Sequence, residues 1–355
     1  MQEKFIYNKN IGMINILSKL GDAISGKSSG ATPNLSICMM GPRSVGKTTV
    51  LTSIFHESQS QICDGSSIYL KALDTNTNTL NDYYTMLVDA VAKKNASNLP
   101  ASNTISEFQF GLGLAGRAES VRLTIRDFPG EYLTSTIKSD RDEVYNFLAN
   151  ATVILIAIDT PYLMEEEGRY NAEKNKVDIV THYLKDNVAA IKDKMILFVP
   201  LKCERYMHDG KLPLVSEKVK ATYKDLTDYF AQNNIASFVT PIITLGGIEF
   251  DSMKDSSIAG ELSKVSVFRS WEVNPEYKPL FCPQPLYYLL TYVANYYEWQ
   301  KKQKKGILNS FLDSFFSFIK NDSKFFEEMK KLTRFVIYNK NGFIPITTNS
   351  IIKIN

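Results

Sequence analysis

The stretch Gly41-Pro42-Arg43-Ser44-Val45-Gly46-Lys47-Thr48 decides how the rest of the chain is read. Two glycines separated by four residues and followed by Lys and a hydroxyl residue have the spacing of a phosphate-binding loop. Successive backbone N–H groups at a helix N-terminus bind a polyanion with little side-chain apparatus, and glycine permits the close approach. Lys47 is then the point charge for the terminal phosphates, and the Thr48 hydroxyl is a ligand for a bridging magnesium ion. Gly41, Arg43, Ser44, Val45, Gly46, Lys47, Thr48 and Thr49 form the expected set around the phosphates. The flanks agree with this reading: residues 36–40 make a short apolar strand, and residues 48–56 have helical character.

Outward from the loop, Leu123-Thr124-Ile125-Arg126-Asp127-Phe128-Pro129-Gly130-Glu131 is a second anchor. An Asp closing an apolar strand holds magnesium directly or through water, and the following Gly130 lets a backbone N–H sense the last phosphate. A plain strand-end turn has the same composition; the order, after the phosphate loop, favours the functional reading. Residues 106–114 and 120–126 read as two strands joined by a turn at Ala115-Gly116, and residues 80–92 as an inserted helix. The apolar runs 152–158 and 195–199, separated by a charged helical stretch, have the pattern of buried parallel strands with a crossover helix. Residues 238–244 supply another strand, and residues 215–230 and 285–303 are helical.

Composition narrows the classes. A chain of 355 residues with 44% hydrophobic and 22% charged residues builds a substantial globular core. Lys and Arg number 41 against 38 for Asp and Glu, and a net charge of +3 sets up no field that implies nucleic acid. Cys38, Cys63, Cys203 and Cys282 lie far apart without CxxC spacing, which points to buried free thiols in a reducing cytoplasm. Neither an apolar export signal in the first ten residues nor a membrane-spanning run is expected.

Together these motifs resemble the translation-factor-related and Ras-like P-loop GTPases, whose phosphate loop and DxxG segment run in this order. More closely, the phosphate loop, Asp127-Phe128-Pro129-Gly130-Glu131, Val199-Pro200-Leu201-Lys202-Cys203-Glu204 and Thr244-Leu245-Gly246-Gly247 resemble bacterial proteins of the double-GTPase type, over roughly residues 34–303. The resemblance implies an α/β P-loop domain with a mostly parallel sheet carrying one antiparallel strand, helical insertions and a helical C-terminal extension. It implies GTP or GDP as ligand and Mg2+ as cofactor. In that family an [NT]KxD segment reads guanine; Lys202 and Glu204 match its second and fourth positions, while Leu201 departs by offering no hydrogen bond. Leu245 and Gly246 lie where backbone amides close the base pocket, and Thr104 is the positional match for the threonine that senses magnesium. A solvated Lys–Glu pair after a buried strand is the bland alternative for Lys202 and Glu204.

Glu131 follows DxPG where many relatives carry Gln, so it is expected to position the attacking water or act as base; Arg43 is the candidate for compensating transition-state charge. Slow GTP hydrolysis, switching a protein partner such as a regulator or second GTPase, is the expected activity. An ATPase or small-molecule kinase using the same loop, and a nucleotide-stabilised scaffold that does not hydrolyse, stay open beside it. The expected organisation is an N-terminal amphipathic helix and linker (1–33), the P-loop domain (34–303) with an insertion at about 58–103, and a helical extension with a hairpin-like tail (304–355). Lysines 301, 302, 304 and 305 precede an apolar helical stripe that includes Phe311, Phe315 and Phe316. That stripe either docks on the chain's own core or makes a peripheral membrane contact through 301–332, with docking the favoured outcome.

Overall fold

The computed structural model describes residues 32–59, 62, 65–73, 76–95, 106–128, 130–258, 261–302 and 312–352. The expected N-terminal helix, Cys63, Thr104, Pro129 and Phe311 lie outside them. The strands are β1 (Asn34–Met40), β2 (Ile68–Ala72), β3 (Ser106–Leu114), β4 (Glu119–Asp127), β5 (Val153–Asp159), β6 (Met195–Leu201), β7 (Ala236–Val239), β8 (Ile248–Ile258), β9 (Glu261–Ser270) and β10 (Ile344–Thr347). β8 and β9 form a separate antiparallel hairpin; the other eight make one sheet in the order β10-β7-β6-β5-β1-β4-β3-β2. β7, β6, β5, β1 and β4 run parallel, and β3 opposes β4 as the expected antiparallel strand.

Side-chain alternation explains why the sheet is covered on both faces. Leu35, Ile37 and Met39 of β1 join Leu155 and Leu197 in one core, whereas Cys38 and Met40 join Ile154, Ile156 and Phe198 in the other. Helices Lys47–Ser58, Gln284–Lys302, Asp313–Asn321 and Ser323–Leu332 fill the first face. Helices Lys138–Asn150, Val177–Asp186, Leu212–Thr222 and Lys224–Gln232 fill the second. The single helical stretch expected at 215–230 is thus two helices that meet at Tyr223. Cys38, Cys203 and Cys282 are buried free thiols, and burial pushes all three far above the ordinary thiol range, which makes them unreactive.

Both the insertion and the tail enter the sheet. β2 pairs with β3 as an edge strand, and the inserted helix spans Asn76–Ala92. At the other edge, a turn at Asn341-Gly342 closes with a Lys340–Phe343 bridge, and the chain then runs antiparallel to β7 as β10. The second half of the expected hairpin is therefore a second antiparallel strand of the main sheet. Pro345 is tolerated there because an edge strand needs no donor on its outer side, and the register shifts between Pro345 and Thr347.

The apolar stripe of the tail turns inward. Phe315, Phe316 and Ile319 are buried, and the Phe316 ring packs 5.7 Å from Tyr296 and 5.4 Å from Tyr297 of helix Gln284–Lys302. These rings are taken up by the core and are not open to a membrane surface. No helix among the described residues is long and apolar enough to cross a membrane.

Candidate functional site

β1 lies between β4 and β5, and the helices that follow β1 and β5 cover opposite faces of the sheet. In such a sheet a crevice opens at the carboxyl ends of the strands, at the point where the winding reverses. Four strand ends meet there and carry most of the residues singled out above.

At the end of β1 the chain turns through Gly41, whose φ is +148°; a Cβ at this position would stand 2.8 Å from the Ala157 carbonyl oxygen of β5, so only glycine fits. Gly46, at φ +111°, caps helix Lys47–Ser58 with no side chain of its own, so the helix N-terminus follows directly on the loop. The Lys47 side chain is only 8% exposed. Its ammonium donates to the carbonyls of Gly41 (3.1 Å) and Pro42 (3.0 Å) and lies 3.6 Å from Asp127 Oδ1.

Asp127 closes β4 and sits beside Met39 in the register with β1. It is almost fully buried and its Oδ1 makes no hydrogen bond. Burial pushes its carboxyl up to about 6, opposed by the Lys47 ammonium. A buried carboxylate oxygen that accepts no hydrogen bond suits a hard cation or the water bound to one, so Asp127 fits magnesium. Gly130 and Glu131 open a 3-10 turn, Gly130–Thr134, directly after this strand; Glu131 and Arg43 are exposed.

The second half of the site lies at the ends of β5 and β6, where Asp159 pairs with Leu201. Lys202 follows at φ +60°, and its ammonium donates to the Ser44 carbonyl at 3.2 Å and to the Asp159 carboxylate. Asn175 holds the Asp159 backbone from both sides, at 2.7 and 3.1 Å, while Asp159 Oδ1 stays buried without a hydrogen bond. Glu204 is buried. Its Oε1 accepts from the Thr244 and Leu245 N–H groups, each at 2.8 Å, and from the Thr244 hydroxyl at 3.1 Å. Two elements read separately in the sequence, Glu204 and the Thr244–Gly246 turn, are thus one hydrogen-bonded unit. Gly246, at φ +74°, is pressed so closely by the following chain that a Cβ would lie 2.3 Å from the Lys278 carbonyl oxygen.

This geometry agrees with the comparisons. A family model described as Double-GTPase 2 matches residues 36–240, which includes both halves of the site up to Glu204. The chain belongs to the Double-GTPase 2 family. The chain accordingly has a P-loop GTPase fold. Among solved structures, the family member is similar to the LeoA bacterial dynamin GTPase from ETEC, at 18% identity and a TM-score of 0.32, over 63% of this chain and 33% of LeoA. It is also similar to the Arl6 (BBS3) small GTPase from Trypanosoma brucei, solved with the nucleotide analogue GppNp, at 15% identity and a TM-score of 0.30, over 59% of this chain and 87% of that one. The chain therefore spans a third of LeoA's length. The search of curated proteins finds no match.

Three residues of this Double-GTPase 2 chain carry the site's architecture without having been singled out in the sequence. Asp159 closes an apolar run as Asp127 does, a signal that was available. Tyr83 of the inserted helix packs against the cluster of Leu245 and Ile248, and the Tyr277 hydroxyl lies 2.6 Å from Ser53 Oγ; neither contact has a local sequence signature.

Proposed function

We propose that this chain binds GTP with magnesium and hydrolyses it slowly, as a molecular switch acting on a protein partner. The observation that carries this reading is the convergence of Lys47, Asp127 and the Gly46-capped helix N-terminus on one buried point, with Lys202 joining that loop to the Asp159 and Glu204 strand ends. Backbone N–H groups of residues 44–48 cradle the phosphates, and Lys47 moves its donors from loop carbonyls to phosphate oxygens. Thr48 and Asp127, together with Thr104 on the family resemblance, would hold magnesium, which would supply charge neutralisation to the phosphates. Glu204 keeps Oε2 for the base, since its hydrogen bonds from described residues all reach Oε1. Gly130 senses the last phosphate, Glu131 orients water, and Arg43 offsets developing charge.

A second reading, an ATPase or small-molecule kinase, draws support from Leu201, which is fully buried and lies 3.7 Å from where a Gly46 Cβ would stand. A side chain packed there contributes shape and no hydrogen bond, which weakens discrimination between bases. Multiple-turnover phosphate release from GTP, with Asp127→Ala as control, tests the proposal. Magnesium-dependent release that Asp127→Ala abolishes is expected; tight GTP binding with no release at all would leave a non-hydrolysing scaffold.

A further inference from the structure

Residues 244–247, at the base end of the site, adopt a form that a free chain rarely keeps. The Gly247 N–H donates to the Leu245 carbonyl at 2.9 Å across Gly246, whose φ is +74°. A three-residue turn with its central residue at positive φ is rare and strained, so contacts from outside must hold it. Glu204 supplies the first, through the Thr244 and Leu245 N–H groups, and the Lys278 N–H supplies a second to the Leu245 carbonyl at 3.2 Å. The third comes from Trp271, whose indole Nε1 donates to the Gly246 carbonyl at 3.0 Å. The Gly246 N–H donates to no group among the described residues.

Burial does not explain where Trp271 stands, because the residue is 49% exposed. Its polar edge holds the turn, and its ring packs 4.2 Å from the ring of His208. His208 Nδ1 in turn donates to Oε2 of the buried Glu249 at 2.9 Å. Arg269, the partner of Glu249 across β8 and β9, donates to Oε1 of the same carboxylate from Nε at 3.1 Å and Nη2 at 3.0 Å. Such a charge-assisted fork is strong and directional, and it fixes the root of the hairpin from which Trp271 emerges. Glu204 and His208 are the first and last residues of one short helix, Glu204–His208. That helix therefore grips the turn twice, directly at Thr244 and Leu245 and through Trp271 at Gly246.

We propose, resting on the reading of this crevice as a guanine site, that Trp271 is a positioning residue for base recognition: by holding the Gly246 carbonyl it presets the Gly246 N–H as a donor for the 6-oxygen of a purine. A donor fixed before the ligand arrives loses no ordering entropy on binding. Adenine carries an amino group at the same ring position, so a turn that cannot relax opposes one donor with another and leaves both unpaired. The hairpin thereby supplies discrimination between 6-oxo and 6-amino purines that Leu201, which offers no hydrogen bond, does not.

The test uses the full chain with magnesium, unaltered and as Trp271→Phe, which keeps an aromatic ring beside His208 and removes the N–H. The dissociation constant of N-methylanthraniloyl-GDP is measured for each chain, and competition against it gives those of GTP, ITP, ATP and 2-aminopurine riboside triphosphate, alongside thermal melts. GTP and ITP carry the 6-oxygen; ATP and the 2-aminopurine nucleotide do not. Trp271→Phe should weaken GTP and ITP alike by about fivefold, the effect of one hydrogen bond, and leave the other two nucleotides and the melting temperature unchanged. Equal losses for all of these nucleotides, or no loss for any, would overturn the proposal, and the guanine reading would stand as long as the unaltered chain prefers GTP to ATP. If the unaltered chain shows no such preference, the guanine reading falls and takes the proposal with it.

Discussion

Lys202 Nζ donates to the Ser44 carbonyl at 3.2 Å while pairing with the buried Asp159 carboxylate, so the strand end that would read the base is tied directly to the loop that would hold the phosphates. The two halves of the site are mechanically one. Replacing Lys202 by Met strands a carboxylate that is only 5% exposed, and the expected cost is about 2–3 kcal/mol of stability in urea unfolding. Adding Asp159→Asn to Lys202→Met should recover much of that loss, because an amide tolerates the same burial without a charge. Equal stability of Lys202→Met and the unaltered chain would show that the pair contributes nothing.

Glu131 is exposed on the turn that follows Asp127, where it can reach water without anchoring the nucleotide. Glu131→Ala should slow single-turnover hydrolysis by about tenfold or more with little change in GTP affinity. An unchanged rate would transfer the water-positioning role elsewhere, with Arg43 the first residue to examine.

The tail is part of the core. Phe316 is 1% exposed between two tyrosine rings, and Phe316→Ala should lower stability by about 3–5 kcal/mol. The chain should not co-sediment with anionic liposomes in a salt-sensitive way through 301–332, because the apolar face that insertion requires is already buried. Salt-sensitive binding that disappears on truncation after Gln303, with an unchanged melt, would contradict this.

Acid should loosen the contact between the inserted helix and the phosphate-loop helix. His56 stacks on Tyr84, its Nε2 is buried without a hydrogen bond, and burial holds the imidazole below its ordinary value of 6.5. The folded chain therefore favours neutral His56: the contribution is complete above pH 6.5 and is lost as pH falls through the lower folded value. Thermal melts from pH 7 to pH 5 should show a smaller fall for His56→Phe than for the unaltered chain. Parallel falls would remove His56 as a source of acid sensitivity.

The parts of this molecule that were legible in sequence are those whose signals are local. Gly41 to Thr48 is a contiguous loop whose backbone conformation demands glycines at two positions, and the apolar runs of β1, β5 and β6 are buried on both faces, so each stands out alone. Contacts across long separations were not legible. Glu204 and Thr244 lie forty positions apart, and nothing near either announces that one carboxylate oxygen will gather three donors. β10 escaped as a sheet strand because Ile344-Pro345-Ile346-Thr347 is short and contains proline, which only an edge position allows. The β8–β9 hairpin carried a signal in the alternation of Val265 and Val267 beside Ala259-Gly260, but it packs away from the main sheet and broke no expected pattern.

The measurement that bears most directly on the central claim is competition of unlabelled GTP and ATP against N-methylanthraniloyl-GDP, on the unaltered chain, Lys47→Ala and Glu204→Ala. GTP should compete at least tenfold better than ATP on the unaltered chain. Lys47→Ala should lose nearly all affinity for both, and Glu204→Ala should lose GTP preference by weakening GTP far more than ATP. Equal competition by GTP and ATP, with equal losses in Glu204→Ala, would contradict the assignment of a guanine site and favour the ATPase or kinase reading.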